Sequence, residues 1–129
     1  MKGFKGFGSG LICRGKQYAE NTVFEEDSAE ICKAGMHYCE NPWDVFDYYP
    51  MVNSDGAMNE YAEVEALAEP KTDNHKKWCT TKLKIGARLS FGGFIQACVD
   101  FLLDRTETDE TSGSSGNEGY FSSDDDQFF

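Results

Sequence analysis

The chain has 129 residues and a formal net charge of −11, a length that suits one domain and is too short for two of ordinary size. No run of about 18 apolar residues is present, and the start MKGFKGFGSG lacks an apolar core before a cleavage-like site, so the sequence predicts neither a membrane span nor a signal peptide. The acidity disfavours direct nucleic-acid binding, which depends on clustered Lys and Arg, but it is compatible with binding to a basic protein surface.

The negative charge is concentrated at the C-terminal end. Residues 106–129 contain seven Asp and Glu and no Lys or Arg, which leaves 16 acidic against 12 basic residues before them. The same stretch is rich in Ser, Gly and Thr and has no apolar run that could form a core. We therefore predict one compact domain over residues 1–105 and a disordered acidic tail over residues 106–129.

The first forty residues show short apolar pieces separated by Gly, the pattern of strands joined by tight turns. We predict strands near residues 3–7 and 11–14, and a hairpin or an irregular excursion around Glu20-Asn21. The pieces AEIC and MHYC are predicted as two further extended segments, broken at residues 33–35, where Gly35 permits a turn.

The clearest local signal is a helix start at Asn41-Pro42. Asn is a favoured N-cap, and the fixed φ of Pro suits the first helical position. Asp44 places a negative charge near the positive end of the helix dipole, and Pro50 stops the helix. The prediction is a two-turn helix over residues 42–49 whose buried side is aromatic.

The second half combines strands with one longer helix. A loop over residues 51–59 precedes EYAEVEALAE, which fits an edge strand or a helix, and we favour a strand over residues 60–68 because Pro70 follows and no N-cap precedes. WCTTKLKIGARLS alternates as one strand. Ser90 caps a helix over 91–104 with an apolar stripe at helical spacing. The fold class is thus α+β, with a small, mostly antiparallel sheet covered by two helices.

The five cysteines and His37 suggest a metal site or a nucleophilic thiol, and neither is favoured. His37 and Cys39 alternate onto one side of a strand, but their spacing relative to Cys13, Cys32 and Cys79 matches no zinc motif. A catalytic Cys39 would need a base that meets it in space together with an orienting group. We predict reduced thiols that are mostly buried, with no metal and no cofactor.

A third candidate site uses one polar residue from each of three predicted strands: Arg14, His37 and Glu65. Their order along the chain resembles the layout of ADP-ribosyltransferase-like folds. That resemblance implies a nucleotide-using enzyme with these three residues as its catalytic groups, and it is the alternative to a non-enzymatic function. The competing interpretation is that Arg14 pairs with a carboxylate of the domain and that Glu65 is a solvated strand residue.

The last residues, SSDDDQFF, combine acidic and aromatic side chains in a way typical of partner-binding peptides. Rings enter a hydrophobic pocket while the neighbouring charges meet Lys and Arg on the partner. The segment resembles the acidic, aromatic-ended tips of bacterial and phage single-stranded DNA-binding proteins, which recruit partner proteins. The predicted partner-binding residues are Asp124, Asp125, Asp126, Phe128 and Phe129. The plainer interpretation is a solubilising tail.

A family resemblance covers residues 2–103. The pieces FKGF, LICRGKQY, AGMHYCENPWDVFDYY, YAEVEA and KLKIGARL, in this order, resemble an uncharacterised family of small domains from phages, prophages and gut bacteria. The resemblance implies phage biology but no reaction. Together with the acidity, it predicts an accessory protein in the cytoplasm of an infected bacterial host. The expected partner is a host nucleic-acid-binding protein or nuclease, which the protein inhibits or redirects as an anti-CRISPR or other anti-defence factor.

Overall fold

A computed structural model describes the backbone of residues 1–108 and of Phe129, with side chains through Asp104 and at Phe129. Nine strands and two helices follow one another in these residues. In chain order they are β1 Lys2–Phe7, β2 Ile12–Cys13, β3 Lys16–Gln17, β4 Thr22–Glu25, β5 Met36–Cys39, α1 Pro42–Val45, β6 Glu60–Ala66, β7 Lys71–Thr72, β8 Lys77–Thr80, β9 Lys82–Leu89 and α2 Phe91–Thr108.

Seven of these strands form one sheet in the order β4-β9-β6-β1-β5-β8-β7, and every pair in it is antiparallel. β2 and β3 form a separate hairpin. The predicted fold class, a mostly antiparallel sheet with two helices, is confirmed. The predicted tail lies outside the described residues except for Phe129 and the end of α2.

Two apolar clusters fill the space around the sheet. The first joins sheet residues such as Phe7 and Ile85 to Leu11, Cys13 and Tyr18 of the β2–β3 region. The second joins both helices to the sheet through aromatic packing, in which Phe94 of α2 stacks on Tyr61 with ring centroids 4.2 Å apart. Tyr49 packs against both clusters. Together these contacts place the residues that follow α1 beside the centre of the sheet.

The helix start at Asn41-Pro42 has the predicted geometry. The Asn41 side chain accepts a hydrogen bond from the Trp43 backbone N–H at 2.9 Å, and Pro42 is the first helical residue. The regular helix is shorter than the predicted range 42–49, because α1 ends at Val45 and turns carry the chain onward to Tyr49. In these turns, both Tyr48 and Tyr49 donate their N–H groups to the Val45 carbonyl.

Two predicted strands are wrong in detail. The stretch WCTTKLKIGARLS forms two strands, β8 and β9, which are separated at Thr81. They pair with different neighbours. The Thr80 hydroxyl accepts from the Lys82 N–H there and donates to the Ala68 carbonyl. AEIC is a turn rather than an extended piece, because Ala34 and Glu30 bond to each other and Cys32 takes a left-handed φ of 64°.

Helix α2 begins at the predicted residue and runs to Thr108, past the predicted end of the domain at residue 105. Its stripe packs on the sheet only in part: Phe94 and Cys98 are buried, whereas Val99 and Leu102 are exposed. Neither helix in the described part of the chain is both long and apolar enough to cross a membrane.

Candidate functional site

A fully buried lysine lies in the central strand. Side chains in a strand alternate between its two faces, so Lys5 shares a face with Phe7 rather than with Phe4. Lys5 is 0% exposed, and its Nζ donates to the carbonyl oxygens of His37 and Phe129, each at 2.7 Å. Burial lowers the pKa of Lys5, and the neighbouring Cys13 thiol partly opposes this effect.

The space around Lys5 exists because the ladder between β1 and β5 is short. These strands share one pair of opposed residues, Phe4 and Cys39, whereas β1 and β6 pair over all six residues of β1. Beyond that pair, the Lys5 ammonium group donates to the His37 carbonyl at 2.7 Å. A buried carbonyl needs a donor, and the lysine supplies it.

Phe129 occupies this space. It is 2% exposed, and its ring stacks on Tyr48 with centroids 5.0 Å apart and planes 10° apart. Lys5 Nζ lies 4.9 Å from the Phe129 ring centroid, and Tyr49 contacts the ring at a tilt. We call the space bounded by Lys5, Tyr48, Tyr49 and the His37 carbonyl the Lys5 pocket. It holds an aromatic ring and a hydrogen-bond acceptor together.

A second buried lysine, Lys77, contacts the Tyr48 wall of the pocket. Lys77 is 3% exposed, and its Nζ lies 4.7 Å from the centroid of the Tyr48 ring. The same Nζ donates to Cys32 Sγ at 3.2 Å. Tyr48 therefore contacts an ammonium group as well as the ring of Phe129. A cation favours the electron-rich face of an aromatic ring, so Lys77 orients the aromatic wall of the pocket.

The imidazole of His37 is held neutral. Its Nε2 accepts from the Cys32 backbone N–H at 3.1 Å, which assigns the ring proton to Nδ1, 3.3 Å from the Gly35 carbonyl. Burial, and then the positive charges of Lys5 and Lys77, lower the pKa of His37 to about 3. Both ring nitrogens are engaged with backbone groups, so His37 stabilises the turn at Cys32 and is not placed as a proton carrier.

A cavity of about 180 Å³ adjoins Phe129 on the side of the β2–β3 hairpin. Its lining has three basic residues, Arg14, Lys16 and Lys33, and one acidic residue, Glu26. Lys16 and Glu26 form an ion pair at 2.7 Å. This concentration of positive charge contrasts with the net charge of the whole chain.

Arg14 reaches the cavity from a strained turn. It is the first of the two residues between β2 and β3, and both have positive φ: 52° at Arg14 and 77° at Gly15. Such turns favour Asn, Asp or Gly at the first position, and a bulky side chain there is uncommon. Arg14 therefore carries a conformational cost at this turn, and it also lines the cavity.

Of the three residues of the predicted enzyme site, Glu65 lines a different cavity from Arg14. Arg14 lines the cavity beside Phe129, and its charge contributes to the lowered pKa of His37. Glu65 lies on β6 opposite Lys2 and Lys84 and lines a different cavity, of about 490 Å³, between the sheet and α2. Cross-strand charge pairing accounts for Glu65 in that place.

Of the predicted partner-binding residues, only Phe129 is described, and it lies in the Lys5 pocket. Asp124, Asp125, Asp126 and Phe128 lie outside the described residues. The sequence prediction did not identify Lys5 or Lys77. The only local signal for Lys5 was its i, i+2 relation to Phe7, which places a lysine on an apolar face.

The five cysteines all lie in the described part of the chain, and none of them forms a disulfide. Burial raises the pKa of Cys39, with a further contribution from the negative charges of Asp44 and Asp47, and burial raises the pKa of Cys98 to about 11. These thiols stay protonated near neutral pH, which makes them poor nucleophiles. Within residues 1–104 and at Phe129, no three His, Cys, Asp or Glu side chains are grouped so that they could hold a metal ion.

Residues 1–97 match the family model described as Domain of unknown function (DUF7666). The chain belongs to the DUF7666 family. The DUF7666 match covers β1 to β9 and the start of α2, and hence every wall of the Lys5 pocket, whereas Phe129 lies beyond it. No curated protein and no solved structure matches this DUF7666 chain.

Proposed function

We propose that this DUF7666 protein is a binding module that acts through the acidic segment leading to Phe129. The Lys5 pocket holds the aromatic end of the segment until a partner protein takes it up. One observation carries the proposal: Phe129 is 2% exposed, with its ring on Tyr48 and its carbonyl oxygen on Lys5. Recognition of an aromatic side chain together with a backbone acceptor is how many peptide-binding sites work.

The chemistry around the pocket favours binding over catalysis. The nitrogens of His37 are both engaged with the backbone, and the pKa of the buried Cys39 thiol is raised. Arg14 and Glu65 line different cavities, which favours binding over the ADP-ribosyltransferase-like alternative.

The proposed partner has a basic surface. Residues 106–129 carry seven acidic residues and no basic ones, so they suit a channel lined by Lys and Arg. A host nuclease or other nucleic-acid-binding protein has such a channel. Occupying it would inhibit or redirect the host protein, as an anti-CRISPR or other anti-defence factor does. The phage setting of this proposal rests on the sequence resemblance alone.

Co-purification from a nuclease-treated bacterial lysate tests the proposal. The full chain is compared with a variant in which Asp124, Asp125 and Asp126 are each replaced by Asn, which keeps length and shape and removes charge. We expect the wild-type chain to retain a nucleic-acid-binding protein that added duplex DNA displaces, and the variant to retain much less. Equal recovery by both chains, or no displacement by DNA, would contradict the proposal.

A further inference from the structure

We propose that Cys32 and Lys77 form an oxidative modification site, at which a peroxide oxidises the thiol and the lysine amine then forms a reversible sulfur–nitrogen bond. Cys32 Sγ and Lys77 Nζ are 3.2 Å apart, and the lysine donates a hydrogen bond to the sulfur. The product is a sulfenamide that joins the turn at Cys32 to strand β8. The site is independent of the proposed function, because neither a partner protein nor Phe129 takes part.

Cys32 differs from the other four cysteines in its exposure. Cys13, Cys39, Cys79 and Cys98 are each 3% exposed or less, whereas Cys32 is only partly covered. Cysteines that react with oxidants are partly exposed and lie beside positively charged groups. Among the five thiols, Cys32 is the one that combines partial exposure with a hydrogen bond from an ammonium group. A small peroxide can therefore reach the sulfur that the lysine contacts.

The turn at Cys32 holds the sulfur against the lysine. Cys32 has a φ of 64°, a left-handed conformation that is uncommon for a residue with a side chain. Its backbone N–H donates to His37 Nε2 at 3.1 Å, and two backbone hydrogen bonds between Glu30 and Ala34 close the turn around it. These bonds fix the backbone from which the thiol projects towards Lys77.

Lys77 is already ordered before any bond forms. It is 3% exposed, and its Nζ lies 4.7 Å from the centroid of the Tyr48 ring as well as beside Cys32 Sγ. Fixing a long, solvated lysine side chain costs conformational entropy, but a buried lysine has lost that freedom on folding. Holding two reacting atoms in contact also makes their reaction effectively unimolecular. The geometry thus favours attack by Lys77 over attack by any solvated amine.

The reaction balances in two steps. In the first step, the Cys32 sulfur attacks one oxygen of hydrogen peroxide, the O–O bond breaks, and the sulfur loses two electrons to become a sulfenic acid while water leaves. In the second step, the neutral amine of Lys77 attacks that sulfur and forms the S–N bond. The S–O bond breaks, and the departing hydroxide takes a proton from nitrogen and leaves as a second water. An added thiol reverses the bond by attacking the sulfur.

The competing product is a disulfide between Cys32 and Cys79. Burial raises the pKa of the Cys79 thiol, and Cys32 is among the smaller contributors to this increase, so the two thiols are near each other. Cys79 is fully buried, and a thiol that stays protonated attacks a sulfenic acid slowly. Lys77 Nζ, in contrast, is already hydrogen-bonded to the Cys32 sulfur. The sulfenamide is therefore the expected product.

Mass spectrometry of the full chain after treatment with hydrogen peroxide tests the site. We expect the intact mass to fall by about 2 Da, the loss of two hydrogens that accompanies one S–N bond. All but one of the five thiols should still react with N-ethylmaleimide in denaturant, and dithiothreitol should restore the remaining one. A digest with a protease that does not cleave at lysine should contain the Cys32 and Lys77 peptides joined. Loss of two thiols, a joined Cys32–Cys79 pair, or oxidation of Cys32 without a bond to Lys77 would overturn the inference.

Lys77→Arg keeps the positive charge and removes the amine. In this variant we expect Cys32 to proceed to sulfinic acid, which dithiothreitol does not reduce, so its thiol is not recovered. Lys33→Arg is the matched control, because Lys33 is next to Cys32 in the sequence but its Nζ is paired with Glu30. This control should recover its thiol as the wild type does. Equal recovery by the two variants would contradict the role of the Lys77 amine. If Lys77→Arg does not fold, the joined peptides of the wild-type chain decide the question.

Discussion

The neutral state of His37 predicts a specific loss of stability in acid. The imidazole is 0% exposed and sits between backbone groups, and its pKa in the folded protein is about 3 instead of 6.5. The unfolded chain therefore binds more protons than the folded chain between these two values. The contribution of neutral His37 to the free energy of unfolding is complete well above pH 6.5 and is lost as the pH falls towards 3.

The magnitude follows from the size of this shift. Between pH 7 and pH 4.5, protonation of the unfolded His37 removes about 2.5 kcal/mol from the free energy of unfolding. That is a large share of the 5–15 kcal/mol that is typical of a domain. In the His37→Gln variant, the amide oxygen can still accept from the Cys32 N–H, but nothing titrates at this position, so this part of the pH dependence disappears.

Urea unfolding at both pH values measures the effect. We expect the stability loss on acidification to be about 2.5 kcal/mol smaller in His37→Gln than in the wild type. Only the difference between the two proteins is used, because the carboxylates titrate in both. The matched control is His75→Asn at the other histidine, which is exposed and has a φ of 62° that Asn tolerates. Equal pH dependence of wild type and His37→Gln would refute the reasoning.

Two further substitutions, each with a control, test the packing and the helix cap near the site by thermal and urea unfolding. Gly6→Ala should cost about 1–3 kcal/mol, because the new Cβ would lie 2.6 Å from Tyr49 Cβ. Gly92→Ala is its control, with open space at the Cβ, and should be neutral or stabilise by up to about 1 kcal/mol; equal losses at the two positions would contradict the steric argument. Asn41→Ala should lower the free energy of unfolding by about 1 kcal/mol, because the Trp43 N–H loses its capping acceptor. Asn41→Ser should keep most of the capping energy, because Ser is also a favoured N-cap.

The fold was predictable where local chemistry decides structure. The Asn41-Pro42 start needs only neighbouring residues, and so does the alternation that favours a strand at 60–68, where β6 is found. The break at Thr81 could not be predicted from the sequence, because it depends in part on the hydrogen bond from the Thr80 hydroxyl to the distant Ala68 carbonyl. The turn at Cys32 also depends on a distant group, the His37 ring that accepts its N–H.

The candidate site was predictable only in pieces. Phe129 was predicted as a partner-binding residue, and Arg14 and His37 were predicted as polar residues on two different strands; the structure places Phe129 in the Lys5 pocket. Lys5 was missed because lysine is mostly exposed in folded proteins. Its burial depends on the short β1–β5 ladder and on Phe129, which lies at the other end of the chain. The local sequence shows only that Lys5 and Phe7 share a face of the strand.

The position of β1 in the sheet sets an order of events during synthesis. It is the middle strand of seven but the first to be made, and its neighbours are β5 and β6. The register joins Lys2 to Glu65, so a nascent chain cannot complete the centre of this sheet until β6 has left the ribosome. Until then, β1 presents unpaired edges on both sides. Removing a few residues from the N-terminus would therefore take out the middle of the sheet, whereas removing β7 would only shorten an edge.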